Sequence, residues 1–259
     1  MKNIRLIISD MDGTLLTSEK TLSPKTREVL ARCQEKGIKI VPATARDLKV
    51  LSKFGLMENP KFDAIITTNG SRIYYEDEII YQKGISTQQL NSFLPIILEN
   101  FPGFKISVNI NDTFYANFDL QEILPMEMDF IRTDLSDLPE GLIERMIMDI
   151  QSQENYDKLK PLLPDFIYSH TIEGTFVLRI LSKEISKAKA IKHLSQHLDI
   201  PLSQVVFFGD DANDIEAFTE LPNKVAVANA IEELKEIASD ITLSNDDDGV
   251  ALWIEGNVL

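Results

Sequence analysis

Ile7-Ile8-Ser9-Asp10-Met11-Asp12-Gly13-Thr14-Leu15 sets two carboxylates, two residues apart, at the end of an apolar run that Ile4 and Leu6 begin. An apolar stretch stopped by Gly13 reads as a short buried strand running into a loop. In an open α/β sheet, ligands gather in the crevice beyond the carboxyl ends of the strands, where this reading places Asp10 and Asp12. An unpaired buried carboxylate costs several kcal/mol, so a cation or a hydrogen-bond network is expected beside them.

Downstream, Ser23 as N-cap, Pro24 in the first turn and Gly37 at the end frame a helix over Lys25 to Lys36. Ile38 to Val41 reads as a second strand entering Pro42-Ala43-Thr44-Ala45-Arg46, followed by a helix from Asp47 to about Phe54. Ala64 to Thr67 reads as a third strand, ending at Thr68-Asn69-Gly70. Strands alternating with helices predict a parallel sheet with right-handed crossovers. The pattern then changes. Ser71 to Lys83 reads as a hairpin about the acidic turn Glu76-Asp77-Glu78. Beyond it the spacing predicts helix Gln88 to Asn100, strands Lys105 to Ile110 and Thr113 to Asn117, and an irregular stretch through Met128. Strand Arg145 to Ile150, helix Glu154 to Leu163, and strands Phe166 to Thr171 and Phe176 to Leu181 follow. The alternating pattern returns with helix Lys187 to Leu198, strand Val205 to Phe208, the turn Gly209-Asp210-Asp211-Ala212-Asn213-Asp214, a helix, and short strands Val225 to Val227 and Ile241 to Leu243. The expected division is an α/β domain from residues 1–83 and 182–259 with an α+β unit, residues 84–181, inserted into it. Asp246-Asp247-Asp248-Gly249 reads as a solvated turn.

The chain has 259 residues, enough for a large core without staples. Its single cysteine, Cys33, lies in a predicted helix, forms no internal disulfide and reads as a small hydrophobe, which implies a reducing compartment. No apolar run approaches a membrane span, and the short charged N-terminus lacks the pattern of a signal peptide, so a cytoplasmic protein without a membrane partner is expected. Acidic residues outnumber basic ones by 41 to 26, a formal charge of -15. That surface repels polyphosphate backbones and argues against nucleic acid as a partner.

Two predicted strands therefore end in acidic turns, Asp10-x-Asp12 and Gly209-Asp210-x-x-Asn213-Asp214. In one parallel sheet their ends form a single edge, where Asp10 and Asp210 could share a hard cation. Magnesium suits a few carboxylates completed by water and phosphate oxygens. Zinc is disfavoured, because His170, His193, His197 and Cys33 show no ligand spacing, and His193 and His197 read as an ordinary helix face.

Together these segments resemble the haloacid dehalogenase (HAD) superfamily, in particular its Cof-like subfamily IIB phosphatases, over nearly the whole chain. Asp10-Met11-Asp12-Gly13-Thr14-Leu15 matches the first motif, Thr44 the second, Lys187 the third and Gly209 to Asp214 the fourth. Thr68-Asn69-Gly70 and Asp248-Gly249-Val250-Ala251 are also similar to stretches of this branch. The resemblance implies an α/β, Rossmann-like parallel-sheet core with an inserted α+β cap domain of the C2 type. It implies that Asp10 attacks phosphorus to form an aspartyl phosphate, and that Asp12 serves as acid and then base. It further implies Mg2+ held by Asp10, the Asp12 carbonyl and Asp210, with Asp214 supporting the metal shell. Thr44 and Lys187 would bind the phosphoryl group, Asn213 would donate to phosphate or position Lys187, and Ala45 and Arg46 would line the substrate side. Locally, Thr44 also reads as a helix cap, Lys187 as a surface lysine, Asp214 as a cap, Asn213 as a turn residue and Arg46 as half of a surface salt bridge. Ala45 departs from the glycine common at that point of the branch, a small change expected to leave phosphate binding intact, though the methyl group could narrow the approach of substrate or alter the loop's backbone angles.

The resemblance makes the inserted unit a cap that excludes water and sets specificity. Asn109, Asn111, Asn117, Arg132, His170 and Glu173 are its polar candidates, and surface or hairpin roles explain each equally well. A large cap favours a small phosphorylated metabolite: sugar phosphates first, then cofactor phosphates such as pyridoxal phosphate or flavin mononucleotide. A sugar phosphomutase, or a metabolite-binding regulator without turnover, is the alternative. The expected assembly is a monomer or homodimer.

Overall fold

The computed structural model of the protein describes residues 3–53, 61–123, 129–172 and 174–259. They divide into two compact units, one from Met1–Gln82 and Ser186–Leu259, the other from Lys83–Ile185. The first unit opens with β1 (Leu6–Ser9), α1 (Pro24–Glu35), β2 (Lys39–Pro42), α2 (Leu48–Lys53), β3 (Ala64–Thr67), β4 (Arg72–Tyr75) and β5 (Glu78–Gln82). The second contains β6 (Ile85–Ser86), α3 (Thr87–Asn91), α4 (Leu94–Asn100), β7 (Lys105–Ile110), β8 (Thr113–Ala116), β9 (Phe130–Arg132), β10 (Leu142–Asp149), α5 (Gln153–Leu159), β11 (Ile167–Thr171) and β12 (Val177–Ser182). The chain closes the first unit with α6 (Lys187–His197), β13 (Val205–Gly209), α7 (Ile215–Glu220), β14 (Lys224–Ala226), α8 (Glu232–Ile237), β15 (Asp240–Ile241) and α9 (Gly249–Asn257).

The main sheet of the first unit runs β15-β14-β13-β1-β2, all parallel. β3 extends it beside β2, through Asp63 N–H to the Ile40 carbonyl at 3.0 Å and Thr44 N–H to the Ile66 carbonyl at 2.9 Å. Phe207 and Phe208 point to opposite faces, as neighbours on a strand must. Phe207 meets Phe218 of α7 edge-on at 5.7 Å, and Phe208 meets Trp253 of α9 at 5.3 Å, so helices cover both faces. That double burial explains why β1 reads as a continuous apolar run. From β1 the order proceeds outward through β2, and from β13 outward the other way. The β1/β13 boundary is therefore the switch point at which α/β sheets open a crevice.

Ser23 caps α1 by accepting the Thr26 N–H at 2.9 Å, as its position predicts. The β4–β5 hairpin turns on Glu76 and Asp77, with φ of 49° and 65°, and Glu78 already belongs to β5. The end of the predicted helix at Phe54 lies outside the described residues. α8 and α9 were not legible in the pattern of the sequence.

In the second unit the sheet runs β11-β12-β10-β7-β8-β9, with β6 also on β10. All pairings are antiparallel except the parallel β8–β9 pair. Ile106, Val108, Met146, Met148, Leu178 and Ile180 share one face and pack in a core with Leu90, Leu94, Ile97 and Leu159 of the helices. The predicted single helix Gln88 to Asn100 is two helices, α3 and α4. Pro95 lies in the first turn of α4, where it cannot donate to Asn91 and its ring excludes a continuous ladder. Pro161 likewise converts the end of the predicted Glu154 to Leu163 helix into a separate 3-10 turn, Lys160–Leu162. β6 and β9, both very short, were not predicted, and residues 124–128 of the irregular stretch lie outside the described residues. Among the described residues no helix is long and apolar enough to cross a membrane.

Candidate active site

β1 and β13 end side by side, with Ser9 in register with Phe208. Just past those ends, carboxylate oxygens of Asp10, Asp210 and Asp214 lie within 4.8 Å of one another. Lys187, at the first position of α6 and fully buried, donates from Nζ to Asp10 Oδ1, and to Asp214 Oδ1 at 2.6 Å. Lys187 is thus no surface lysine. Three carboxylates face one ammonium, which leaves surplus negative charge in a closed space.

The titration of the group follows from that imbalance. Burial pushes the Asp10 carboxyl well above the ordinary carboxylate range; Lys187 opposes the rise, and Asp214 and Asp210 add to it. Burial also pushes Asp210 up to about 6, against the stabilising hydrogen bond from the Thr14 hydroxyl at 2.5 Å. Burial would lower the Lys187 ammonium, but Asp10 and Asp214 outweigh it and hold it above its usual range.

The backbone closes tightly around these groups. Gly13 has φ +84°, and a Cβ there would stand 2.3 Å from Asp210 Oδ2. Only glycine lets the first loop approach the second acidic turn this closely. Asp214 Oδ2 accepts the Asp210 N–H at 3.1 Å and the Asp211 N–H at 3.4 Å. It therefore fastens the turn and pairs with Lys187 at once; the helix cap read from the sequence is corrected, because its side chain makes no cap bond to α7.

Asp12 stands apart from this cluster. Its carboxylate takes a two-point bond from Arg46, Nε to Oδ2 at 2.7 Å and Nη2 to Oδ1 at 2.5 Å, and an ion pair from Lys20 at 3.1 Å. Burial pushes the Asp12 carboxyl up, but the Arg46 guanidinium and the Lys20 ammonium outweigh it and hold it below its ordinary value. Arg46 thus pairs inside the site, correcting the surface salt bridge read from the sequence. Thr44 is buried and its Oγ1 accepts the Arg46 N–H at 3.1 Å; Ala45 is half-buried in the same bend. Asn213 is exposed and donates to Asn69 Oδ1 at 2.9 Å. That bond ties the acidic turn to the Thr68-Asn69-Gly70 turn, while the hydrogen bonds of Lys187 go to Asp10 and Asp214.

Three residues that brace the site were given no role from the sequence. Thr14, inside the first motif, holds Asp210; Asn69 meets Asn213; and Asn229 donates to the Gly13 carbonyl at 2.7 Å. Thr14 and Asn69 stood in stretches that the sequence singled out, Asp10 to Leu15 and Thr68-Asn69-Gly70, whereas Asn229 carried no signal. The turn Asp246 to Asp248 is not simply solvated. Asp246 accepts the Ser18 N–H at 2.7 Å and its hydroxyl at 2.6 Å, while Asp248 accepts from the Ser23 hydroxyl. The turn thus ties the chain after the first motif to the C-terminal helix. His193 lies tilted against Tyr81 and His197 meets Tyr75 edge-on, as an ordinary helix face would.

Of the polar candidates in the second unit, Asn111 has φ +49° in the β7–β8 turn. Asn117 donates to the Phe104 carbonyl at 3.0 Å and accepts the Ile106 N–H at 2.7 Å, both structural roles. Arg132 is exposed, Asn109 and His170 lie on the sheet face opposite the helices, and Glu173 is outside the described residues.

Residues 7–254 match the family described as haloacid dehalogenase-like hydrolase. The chain belongs to that family. It falls among the Cof-like phosphatases of the HAD superfamily. It is 28% identical to Phosphatase YwpJ of Bacillus subtilis, over 96% of this chain and 98% of that protein. It is 26% identical to the 5-amino-6-(5-phospho-D-ribitylamino)uracil phosphatase YwtE of the same organism, over 97% of each chain. Its fold matches the crystal structure of a haloacid dehalogenase-like hydrolase from Bacteroides thetaiotaomicron with a TM-score of 0.81 and 26% identity, over 98% of this chain and 99% of that one.

Proposed function

We propose that this HAD-family phosphatase hydrolyses a small phosphorylated metabolite, a sugar or polyol phosphate first and a cofactor phosphate such as pyridoxal phosphate or flavin mononucleotide second, through an aspartyl phosphate on Asp10. The observation that carries the reading is the buried Asp10–Lys187–Asp214 chain beside Asp210 at the carboxyl ends of β1 and β13. A protein that only bound phosphate would gain nothing from a carboxylate at that point, since it repels the ligand.

In this reading an Asp10 oxygen attacks phosphorus as the bond to the leaving oxygen breaks, and Asp12 gives that oxygen its proton. Water then attacks the phosphoaspartate, Asp12 takes the proton, and phosphate leaves with Asp10 restored. Arg46 and Lys20 hold Asp12 as the carboxylate that the second half requires. An arriving phosphate competes for Arg46 and raises the proton affinity of Asp12, which favours the acid that the first half requires. Lys187 keeps one Asp10 oxygen fixed and Thr44 offers its hydroxyl hydrogen to the phosphoryl oxygens.

The residues fit magnesium. The donors of Asp10, Asp210 and Asp214 are all hard oxygens, and their charge exceeds what Lys187 balances. Magnesium, when bound, supplies the positive charge that lets an anionic nucleophile meet an anionic ester. The inserted unit, in this reading, selects the substrate. The ribityl phosphate in the name of YwtE supports a phosphorylated polyol chain as the class to try first. The test is phosphate release from sugar phosphates, polyol phosphates, cofactor phosphates and nucleotides, with magnesium or with chelator. Magnesium-dependent release led by the sugar and polyol esters is expected. A folded, magnesium-supplied protein that releases phosphate from none of them would overturn the reading.

A further inference from the structure

The second unit carries a polar sheet face that no role described so far uses. Along β7 the alternation is strict: Ile106, Val108 and Ile110 enter the core, while Ser107 and Asn109 face the other way. Register extends that second face across the sheet. Asn109 pairs with Arg145 and Phe114, Ser107 with Ile147, Ile147 with Arg179, and Arg179 with His170.

Asn109, Arg179 and His170 on this face have unmet polar atoms. Asn109 is 4% exposed, and its Oδ1 is buried without a donor. Arg179 Nε and His170 Nδ1 are likewise buried without partners. A water could satisfy a lone hydrogen-bonding atom. It would not balance the charge of Arg179, whose guanidinium is pushed below its usual range by burial alone, with no carboxylate opposing the shift. The group directly across the strand is His170, whose imidazole is lowered by burial and then by Arg179 itself. Among the described residues this partly desolvated cation has no carboxylate partner, and its cross-strand neighbour is a histidine.

We propose that this face of the second unit binds a small hydroxylated oxyanion, its carboxylate or phosphate oxygens on Arg179 and His170 and a hydroxyl donating to Asn109 Oδ1. Arg179 and Asn109 stand two strands and two residues apart, about 12 Å between their Cβ atoms by sheet spacing. With the reach of the arginine subtracted, a chain of about four to six carbons fills the interval. Donor and acceptor demands coincide on such a molecule: the cation needs an anion, and the amide oxygen needs a hydroxyl.

The site is a property of the second unit and is independent of the chemistry proposed for Asp10, so binding tests it without turnover. The experiment titrates the full-length protein in chelator with gluconate, glycerol 3-phosphate, sorbitol and acetate by calorimetry. Gluconate or glycerol 3-phosphate is expected to bind saturably, at least tenfold tighter than sorbitol, which lacks the anion, and acetate, which lacks the hydroxyls. Arg179→Met should weaken that binding tenfold or more and raise the melting temperature, because an uncompensated cation is removed. Arg179→Lys should retain most of it, and Asn109→Leu should weaken the hydroxylated anions towards acetate. In the wild-type enzyme with magnesium, competitive inhibition by the bound anion would assign the site to the substrate, and non-competitive inhibition or activation to a separate effector; both support it. Absence of saturable binding of either anion up to about 10 mM, an affinity too weak for a built site, would overturn the proposal. So would unchanged binding in a folded Arg179→Met protein.

Discussion

Asp210→Asn should make the metal-free protein more stable, by an amount that depends on pH. Burial holds the Asp210 carboxyl at about 6 in the folded protein; an unfolded aspartate titrates near about 3.9. The difference, about two units, corresponds to about 3 kcal/mol once both states are ionised. Below about pH 4 folded and unfolded chains both hold the proton, and the residue costs nothing. Between about pH 4 and 6 the unfolded chain releases its proton while the folded protein retains it, so wild-type stability falls as pH rises. Above about 6 the full cost applies, and asparagine, which can still accept from Thr14, does not incur it. For a protein of this size the variant should melt about 4–8 °C higher at pH 8 in chelator, with the gap closing towards pH 4. Added magnesium should raise the melting temperature of wild type far more than that of Asp210→Asn. Scanning calorimetry from pH 4 to 8, with chelator and with magnesium, reads both effects. A variant no more stable than wild type at pH 8, or a gap independent of pH, would refute the reasoning that uncompensated charge is held at this edge for a cation.

Gly13→Ala places a Cβ against Asp210 Oδ2 in a left-handed backbone, so it should cost about 2 kcal/mol or more of stability and weaken magnesium binding, read by calorimetry. Lys187→Gln leaves two buried carboxylates without their shared partner; a loss of about 3–5 kcal/mol at pH 8, smaller at acid pH where the carboxylates protonate, should appear in urea denaturation. Arg46→Ala frees Asp12 from the charge that lowers it, so the limb of the kcat/KM profile that requires protonated Asp12 should move to higher pH. Cys33, fully buried in α1 and pushed up to about 11 by burial, should resist alkylation at pH 8 in the folded protein and react once the chain is unfolded in urea.

The sequence made the first unit legible because parallel strands buried on both faces produce apolar runs such as Leu6 to Ile8 and Val205 to Phe208, and each run ends at a turn with distinctive residues. Asp10, Asp12 and Asp210 could be nominated because acidic residues beyond buried strands are costly unless used, whereas Lys187 and Asp214 were nominated only through the family resemblance. Their pairing could not be read. Nothing in the spacing says that Asp214 fastens its own turn while sharing Lys187, or that Arg46 reaches back to Asp12. Those contacts depend on backbone paths that bring distant segments within hydrogen-bond reach. Misread elements also have local causes. Pro95 and Pro161 interrupt patterns whose apolar periodicity continues across them, and β6 and β9 are too short to show a period. The acidic turn at Asp246 to Asp248 reads as solvated until Ser18 and Ser23, far away in the chain, are seen to donate to it. In the second unit the alternation along β7 revealed a strand, but only the register revealed that Arg179, His170 and Asn109 share one face.

The most direct test of the account is phosphate release by wild type and Asp10→Asn in parallel, on the best ester found, with mass analysis of acid-quenched protein for a phosphoryl group on Asp10. The account predicts magnesium-dependent turnover and a trapped phosphoryl adduct in wild type, and neither in a folded Asp10→Asn protein. Full turnover by Asp10→Asn would contradict it.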